Sequence, residues 1–268
     1  MGVLTFLKDS VFAEEYCLKK GLLQQVDPRL KVFSFVLLFI TLVLLRRIEL
    51  LILLYLFCFL LAISSGINPV YFVKRSAIFI PLFSLFIAIP AFFSFLSAGQ
   101  PLFAINIIFT KLVITKEGLH AGLTFVLRVF VSVSCAVLLS LTTANTQILK
   151  ALRYFKVPQV FVLTAGMCYR YIYLFIKIVE DTYLSIRSRS AGILHYKKGQ
   201  RVVAWSIGNL WQRSYYLSEQ VYSAMLARGY RGEPAVMDSD APPKLLDWIY
   251  LAGVVSVIVY MLWLNTKL

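Results

Sequence analysis

Histidine and acid are what this chain of 268 residues nearly does without: two histidines and 13 Asp plus Glu, against 27 Lys plus Arg. A pocket that selects a metal ion at membrane depth needs imidazoles, carboxylates or thiolates that converge there. His120 falls at the boundary of an apolar run and His195 in a turn. No acidic residue is expected at depth inside a span, so no metal site is assigned. The four cysteines, Cys17, Cys58, Cys135 and Cys168, form no CxxC pair. That excludes a zinc site or redox pair and leaves them as buried small hydrophobes. No GxxxxGKS/T phosphate loop occurs, so the chain does not bind and hydrolyse ATP in that manner. Two histidines placed as these are support no Ser-His-Asp arrangement. No catalytic residue and no bound cofactor is assigned.

Charge of either sign is also scarce. Charged residues make up 15% of the chain and apolar ones 60%, with mean hydropathy +0.79. A soluble domain carries about a quarter charged residues. The pattern is that of an all-α polytopic membrane protein. Its formal charge of +14 is uneven: residues 144–244 hold 14 Lys and Arg against 6 Asp and Glu. Basic loops stay on the cytoplasmic side and suit anionic lipid headgroups or acidic protein surfaces. No recognition motif supports nucleic acid as a partner. Lys8, Asp9, Glu14 and Glu15 precede the first long apolar run, which argues against a cleaved signal peptide.

Along the chain, Asp27-Pro28-Arg29-Leu30-Lys31 reads as a helix start at a membrane surface, with Asp27 as N-cap and Pro28 at the first helical position. Four spans are expected in an N-terminal membrane domain, 1–143, at about 30–46, 48–65, 76–97 and 119–142. The first two apolar runs fall short of the ~20 residues that cross a bilayer, so flanking cations must snorkel. Gly66, Asn68, Pro69, Lys74 and Arg75 mark 64–75 as a loop, and 98–118 reads as irregular. A basic module, 144–244, carries helices over 146–156, 159–194 and 201–228, with a turn at 195–200 and Gly229 as terminator. A final span, within 245–268, bears Trp248 and Trp263 near its ends. Keeping 144–244 in the cytoplasm puts the N-terminus inside, with Arg46-Arg47 as the exception to the charge rule.

The longest polar stretch holds two arginines set between small residues: Ser188-Arg189-Ser190 and Ala227-Arg228-Gly229. Small neighbours leave the guanidinium fork unobstructed, free to enter a cleft and bind carboxylates or carbonyls there. Singly, each reads equally as a solvated helix-end cation serving the macrodipole. Their duplication about forty residues apart suggests paired plugs for a two-fold partner. Arg187 and Arg231 read as rim contacts. Arg128 lies mid-span, where an unpaired charge is costly, and is read as a structural cation bonding backbone carbonyls or a hydroxyl such as Thr142 or Thr143.

On these residues the chain resembles the T component of energy-coupling factor (ECF) transporters. The resemblance rests on Asp27-Pro28-Arg29-x-Lys31, Gly118-Leu119 before the Arg128 span, Thr142-Thr143, Val157-Pro158, Arg170-Tyr171 and above all Ala227-Arg228-Gly229. The earlier family motif is usually Ala-Arg-Gly-like, and Ser188-Arg189-Ser190 departs from it while keeping the arginine. Phe12-Ala13-Glu14-Glu15 and the Gly-Tyr-Arg-Gly at 229–232 resemble the cobalt branch, CbiQ. The resemblance implies a non-catalytic coupling subunit in the prokaryotic plasma membrane. Two CbiO-like cassette ATPases, carrying ATP and Mg, would each receive one arginine of the pair. A separate CbiM-like substrate-binding membrane subunit, with a small CbiN-like one, would select the cargo.

Other readings are open at this point: a T component serving nickel or vitamin uptake, a membrane enzyme acting on lipid or prenyl groups, or a self-sufficient secondary transporter. Glu14-Glu15 resembles the paired glutamates of intramembrane CAAX-type proteases, but their following arginine and later glutamates and histidines are missing. A secondary transporter would show inverted repeats and broken spans in both halves.

Overall fold

The computed structural model describes residues 21–45, 47–77, 80–92, 101–107, 110–189, 196–232 and 244–267. They form ten helices and one β-hairpin: α1 Leu22–Gln25, α2 Pro28–Leu44, α3 Ile48–Ser64, α4 Pro69–Ala77, α5 Ile80–Phe92, β1 Pro101–Ile107, β2 Thr110–Thr115, α6 Lys116–Thr142, α7 Asn145–Tyr154, α8 Gln159–Arg189, α9 Tyr196–Ala227 and α10 Leu245–Lys267. The chain is an all-α membrane protein apart from that hairpin, and it divides into two compact units. One is built on Leu149–Asp240, the other on Ala13–Ile148 with Ala241–Leu268.

The larger unit is organised around α6, which packs against α2, α3, α4 and α5, while α10 packs against α2. The helices α2, α3 and α10 are apolar nearly all round, yet each buries one stripe. On α2 that stripe is Lys31, Ser34, Phe35, Leu38, Thr41 and Leu42, at the three- and four-residue steps of one helix face. Val36, Ile40 and Val43 between them stay exposed, as lipid-facing positions do. Cys58 of α3 and Cys135 of α6 meet in this core with sulfurs 3.3 Å apart, buried as expected. Cys168 is exposed on α8 instead.

Local chemistry sets the helix starts. Asp27 is the N-cap of α2, its Oδ1 accepting from the Arg29 amide at 2.9 Å, with Pro28 in the first turn. The stretch read as a loop at 64–75 contains α4, because Asn68 and Pro69 start a helix rather than prolong a turn. Asn68 Oδ1 accepts from the Val70 amide at 3.2 Å, and Phe72 and Ser76, one turn apart, are buried. The stretch read as irregular holds the β1–β2 hairpin, antiparallel with Ile107 opposite Thr110, and α6 begins at Lys116. The turn expected at 195–200 is overtaken by α9, which starts at Tyr196.

Three helices among the described residues are long and apolar enough to cross a membrane: Gly118–Thr142 within α6, Gln159–Arg189 (α8) and Leu245–Lys267 (α10). The helices α2 and α3, at 17 residues each, stop short of that length, in keeping with their short apolar runs. α8 qualifies through its apolar first half, although it lies in the stretch expected to be cytoplasmic.

Candidate functional site

Arg128 sits near the middle of α6, but what it meets is a helix end. Its Nη2 donates to the Leu45 carbonyl at 2.7 Å, and Leu45 is the C-cap of α2. The last carbonyls of a helix have no intrahelical donor and gather negative potential, which a guanidinium satisfies. The expectation of a carbonyl partner holds, and Thr142 and Thr143 are not that partner. Arg128 Nε and Thr143 Oγ1 are the two buried side-chain polar atoms without a hydrogen-bond partner among the described residues.

At the other end of the same two helices the roles reverse. Lys31, in the first turn of α2 and 1% exposed, donates from Nζ to the Thr142 carbonyl at 3.2 Å. Thr142 is the last residue of α6. Fourteen residues separate Lys31 from Leu45, and fourteen separate Arg128 from Thr142. At 1.5 Å per residue both stretches measure roughly 21 Å. The antiparallel pair is thus capped by each partner's cation at matched ends.

A buried acid escaped the sequence expectation that no acidic residue lies inside a span. Asp247 lies in the first turn of α10 and is 2% exposed. Its Oδ2 accepts from the Lys244 amide at 2.7 Å and its Oδ1 from the Asp27 amide at 3.0 Å. The first bond is the reach-back half of a capping box; the second ties α10 to the start of α2. A capping acid in the first turn was the signal available in the sequence, at Lys244-Leu245-Leu246-Asp247. Ser34 Oγ and Tyr250 OH, 3.2 Å apart, join the same two helices.

The smaller unit is put together differently. The long helices α8 and α9 pack against each other with two apolar clefts between them. One cleft, of 410 Å³, runs between Ile178, Thr182 and Ile186 on α8 and Val202, Ser206 and Leu210 on α9. The other, of 540 Å³, runs between Leu163, Met167 and Tyr171 and Leu217, Val221 and Met225. Among the described residues neither helix has a buried side chain. Trp205, Trp211, Tyr215 and Tyr222 stand exposed on α9, as do Val160 and Phe161 at the start of α8.

The two arginine segments close these helices. Arg187, Ser188 and Arg189 lie in the last turn of α8 and are exposed, with Ser188 Oγ turned back onto the Ser185 carbonyl at 2.9 Å. Ser190 lies outside the described residues. Ala227 ends α9, and Arg228 follows as its exposed cap residue. Gly229 has φ +83°, and its amide donates to the Leu226 carbonyl at 2.9 Å while the Tyr230 amide donates to Met225 at 3.0 Å. This 5→2 and 6→1 pair is a Schellman ending, and the Tyr230 and Met225 side chains both line the second cleft. Arg231 is exposed beyond it. The structure does not bring Arg189 and Arg228 together. They sit at opposite ends of the α8–α9 pair, Arg189 on the side of Gly199 and Val202 and Arg228 on the side of Val160 and Leu163.

Among the described residues no group of three or more His, Cys, Asp or Glu side chains is placed to hold a metal ion. In comparisons with known proteins, the family described as "Cobalt transport protein", CbiQ, matches residues 19–237. An uncharacterized protein of Methanocaldococcus jannaschii is 36% identical over 231 residues, covering 86% of this chain and 79% of the relative. A second uncharacterized protein of the same organism is 24% identical over 194 residues, covering 69% of this chain and 72% of its own.

Proposed function

This chain belongs to the CbiQ family of cobalt transport proteins, and on that premise we propose that it is the transmembrane coupling subunit of an ECF-type importer. It is a component of membrane transport rather than a catalytic enzyme. Two CbiO-like cassette ATPases, which carry the ATP and Mg, each offer a groove to one end of the α8–α9 pair. Arg189, flanked by Ser188 and Ser190, enters one groove; Arg228, flanked by Ala227 and Gly229, enters the other. Arg187 and Arg231 lie at the rims. Closure of the ATPase dimer moves the two long helices, and the movement passes to the membrane bundle. The bundle holds a CbiM-like subunit, with a small CbiN-like one, that selects cobalt. In this reading the chain lies in the prokaryotic plasma membrane with its N-terminus and residues 144–244 in the cytoplasm.

One observation carries the reading. Two exposed arginines, each released by a helix ending, stand at opposite ends of a helix pair that has no buried core of its own. Isolated soluble surfaces rarely expose this much contiguous apolar area unless a partner or membrane covers it. Guanidinium groups buried against carboxylates on a partner add orientation and a large loss on removal. The test is affinity purification of the tagged full chain from its native membrane. Co-purification of a cassette ATPase together with a second membrane subunit is the expected result; recovery of the chain with neither overturns the reading.

A further inference from the structure

Among the described residues the polypeptide leaves the larger unit after Ile148 and is back in it at Lys244. On the membrane side of both passages, the chain is fastened by a hydrogen bond to the start of α2. The outgoing chain is held at Thr142, whose carbonyl accepts from Lys31 Nζ. The returning chain is held at Lys244 and Asp247, the latter accepting from the amide of Asp27. Both side chains are almost fully buried, and both bonds are made to backbone rather than to a rotatable partner. Beside the first fastening, the Thr143 hydroxyl is buried and unpartnered, although the preceding Thr142 hydroxyl donates to Leu138 at 2.8 Å in the ordinary way.

From this juxtaposition we infer that the start of α2 is the point through which movement of α8 and α9 enters the membrane bundle, with Lys31 and Asp247 as positioning residues. A pull on α7 reaches α2 through Thr142 and Lys31. A pull on the segment before α10 reaches it through Asp247 and Asp27. Both displacements are therefore summed on one helix, which a looser tether on either side would not do. The inference rests on the coupling-subunit reading above.

The test uses the whole complex, the chain co-expressed with its ATPases and substrate-binding subunit and reconstituted in vesicles. Three quantities are read for wild type, Lys31→Met, Asp247→Asn and Lys31→Arg: ATPase retained on the tagged chain, ATP hydrolysis, and cobalt taken up per ATP. For Lys31→Met and Asp247→Asn the expected result is retained ATPase and near wild-type hydrolysis, with uptake per ATP reduced roughly fivefold to tenfold. Lys31→Arg, which can still reach a carbonyl, recovers most of it. Unchanged uptake per ATP in Lys31→Met and Asp247→Asn overturns the inference. So does a parallel fall of assembly, hydrolysis and uptake, which is the mark of a purely structural bond. If Lys31→Met does not insert, the near-isosteric Asp247→Asn decides alone. A wild-type chain that retains no ATPase defeats the coupling-subunit reading itself, and is distinguishable from a failure of the two fasteners.

Discussion

The two units treat their cations in opposite ways. In the membrane unit Lys31 and Arg128 are turned inward, and each closes the carbonyl end of a neighbouring helix. In the α8–α9 unit Arg187, Arg189, Arg228 and Arg231 are exposed beyond or within the last turn. Apolar side chains divide likewise. Phe35, Leu38, Leu51, Leu54 and Leu138 make a core in the first unit, whereas Trp205, Trp211 and Tyr215 face outward in the second. One unit completes its own packing; in the other, large apolar side chains of both long helices stay exposed.

The strongest way to break this contrast is to remove the exposed arginines. Arg189→Ala with Arg228→Ala should weaken ATPase retention by about a hundredfold or more, if each truncation of a buried interfacial charge costs roughly 2–5 kcal/mol. Membrane insertion and the unfolding temperature of the isolated chain should not change. Transport at wild-type level by the double variant would place both groups in plain solvent. Next comes the inward cation. Arg128→Met strands the Leu45 carbonyl and should cost about 1–3 kcal/mol, read as a lowered unfolding midpoint in detergent, with Arg128→Lys in between. A midpoint equal to wild type would mean that the Arg128 bond contributes nothing to the inner unit.

Smaller effects sharpen the comparison. Gly229 adopts a left-handed backbone with open space where a Cβ would sit. Gly229→Ala should therefore cost only about 1 kcal/mol, from conformation rather than collision. The expected outcome is a modest loss of ATPase retention through a misdirected Arg228, without loss of expression. Labelling is the mildest probe. In a Cys17→Ser chain, a membrane-impermeant maleimide should modify Cys168, exposed on α8, from the cytoplasmic side and spare the buried Cys58 and Cys135. Protection of Cys168 from both sides would instead set α8 in lipid, as its length and apolarity allow.

Helix ends were legible in the sequence wherever a local residue pair dictates them. Asp27-Pro28 and Gly229 behave as their chemistry requires, since a cap is made within three or four residues. Asn68-Pro69 carried the same information, but neighbouring Gly66 and the cations disguised it as a loop. Which face of each span packs inward was not legible. Phe35 and Leu38 point into the core while Val36 and Ile40 do not, and in lipid both faces are equally greasy, so hydropathy cannot separate them. Lys31 and Asp247 escaped for a related reason. Lys31 bonds a carbonyl 111 residues away and Asp247 an amide 220 residues away, and backbone partners leave no complementary residue type to search for. For the arginine segments, sequence supplied the residue types and the structure supplied their separation. Expected as a pair, the two arginines stand at opposite ends of the α8–α9 pair.

The matched capping of α2 and α6 constrains what any working cycle can do. Sliding one helix along the other would strain the Lys31–Thr142 and Arg128–Leu45 bonds at the same moment. Shear along this seam is therefore closed off, and the pair must swing as one stiff plank. Whatever bends must do so just past its end, at the Thr143–Ala144 step where the chain breaks helix before α7.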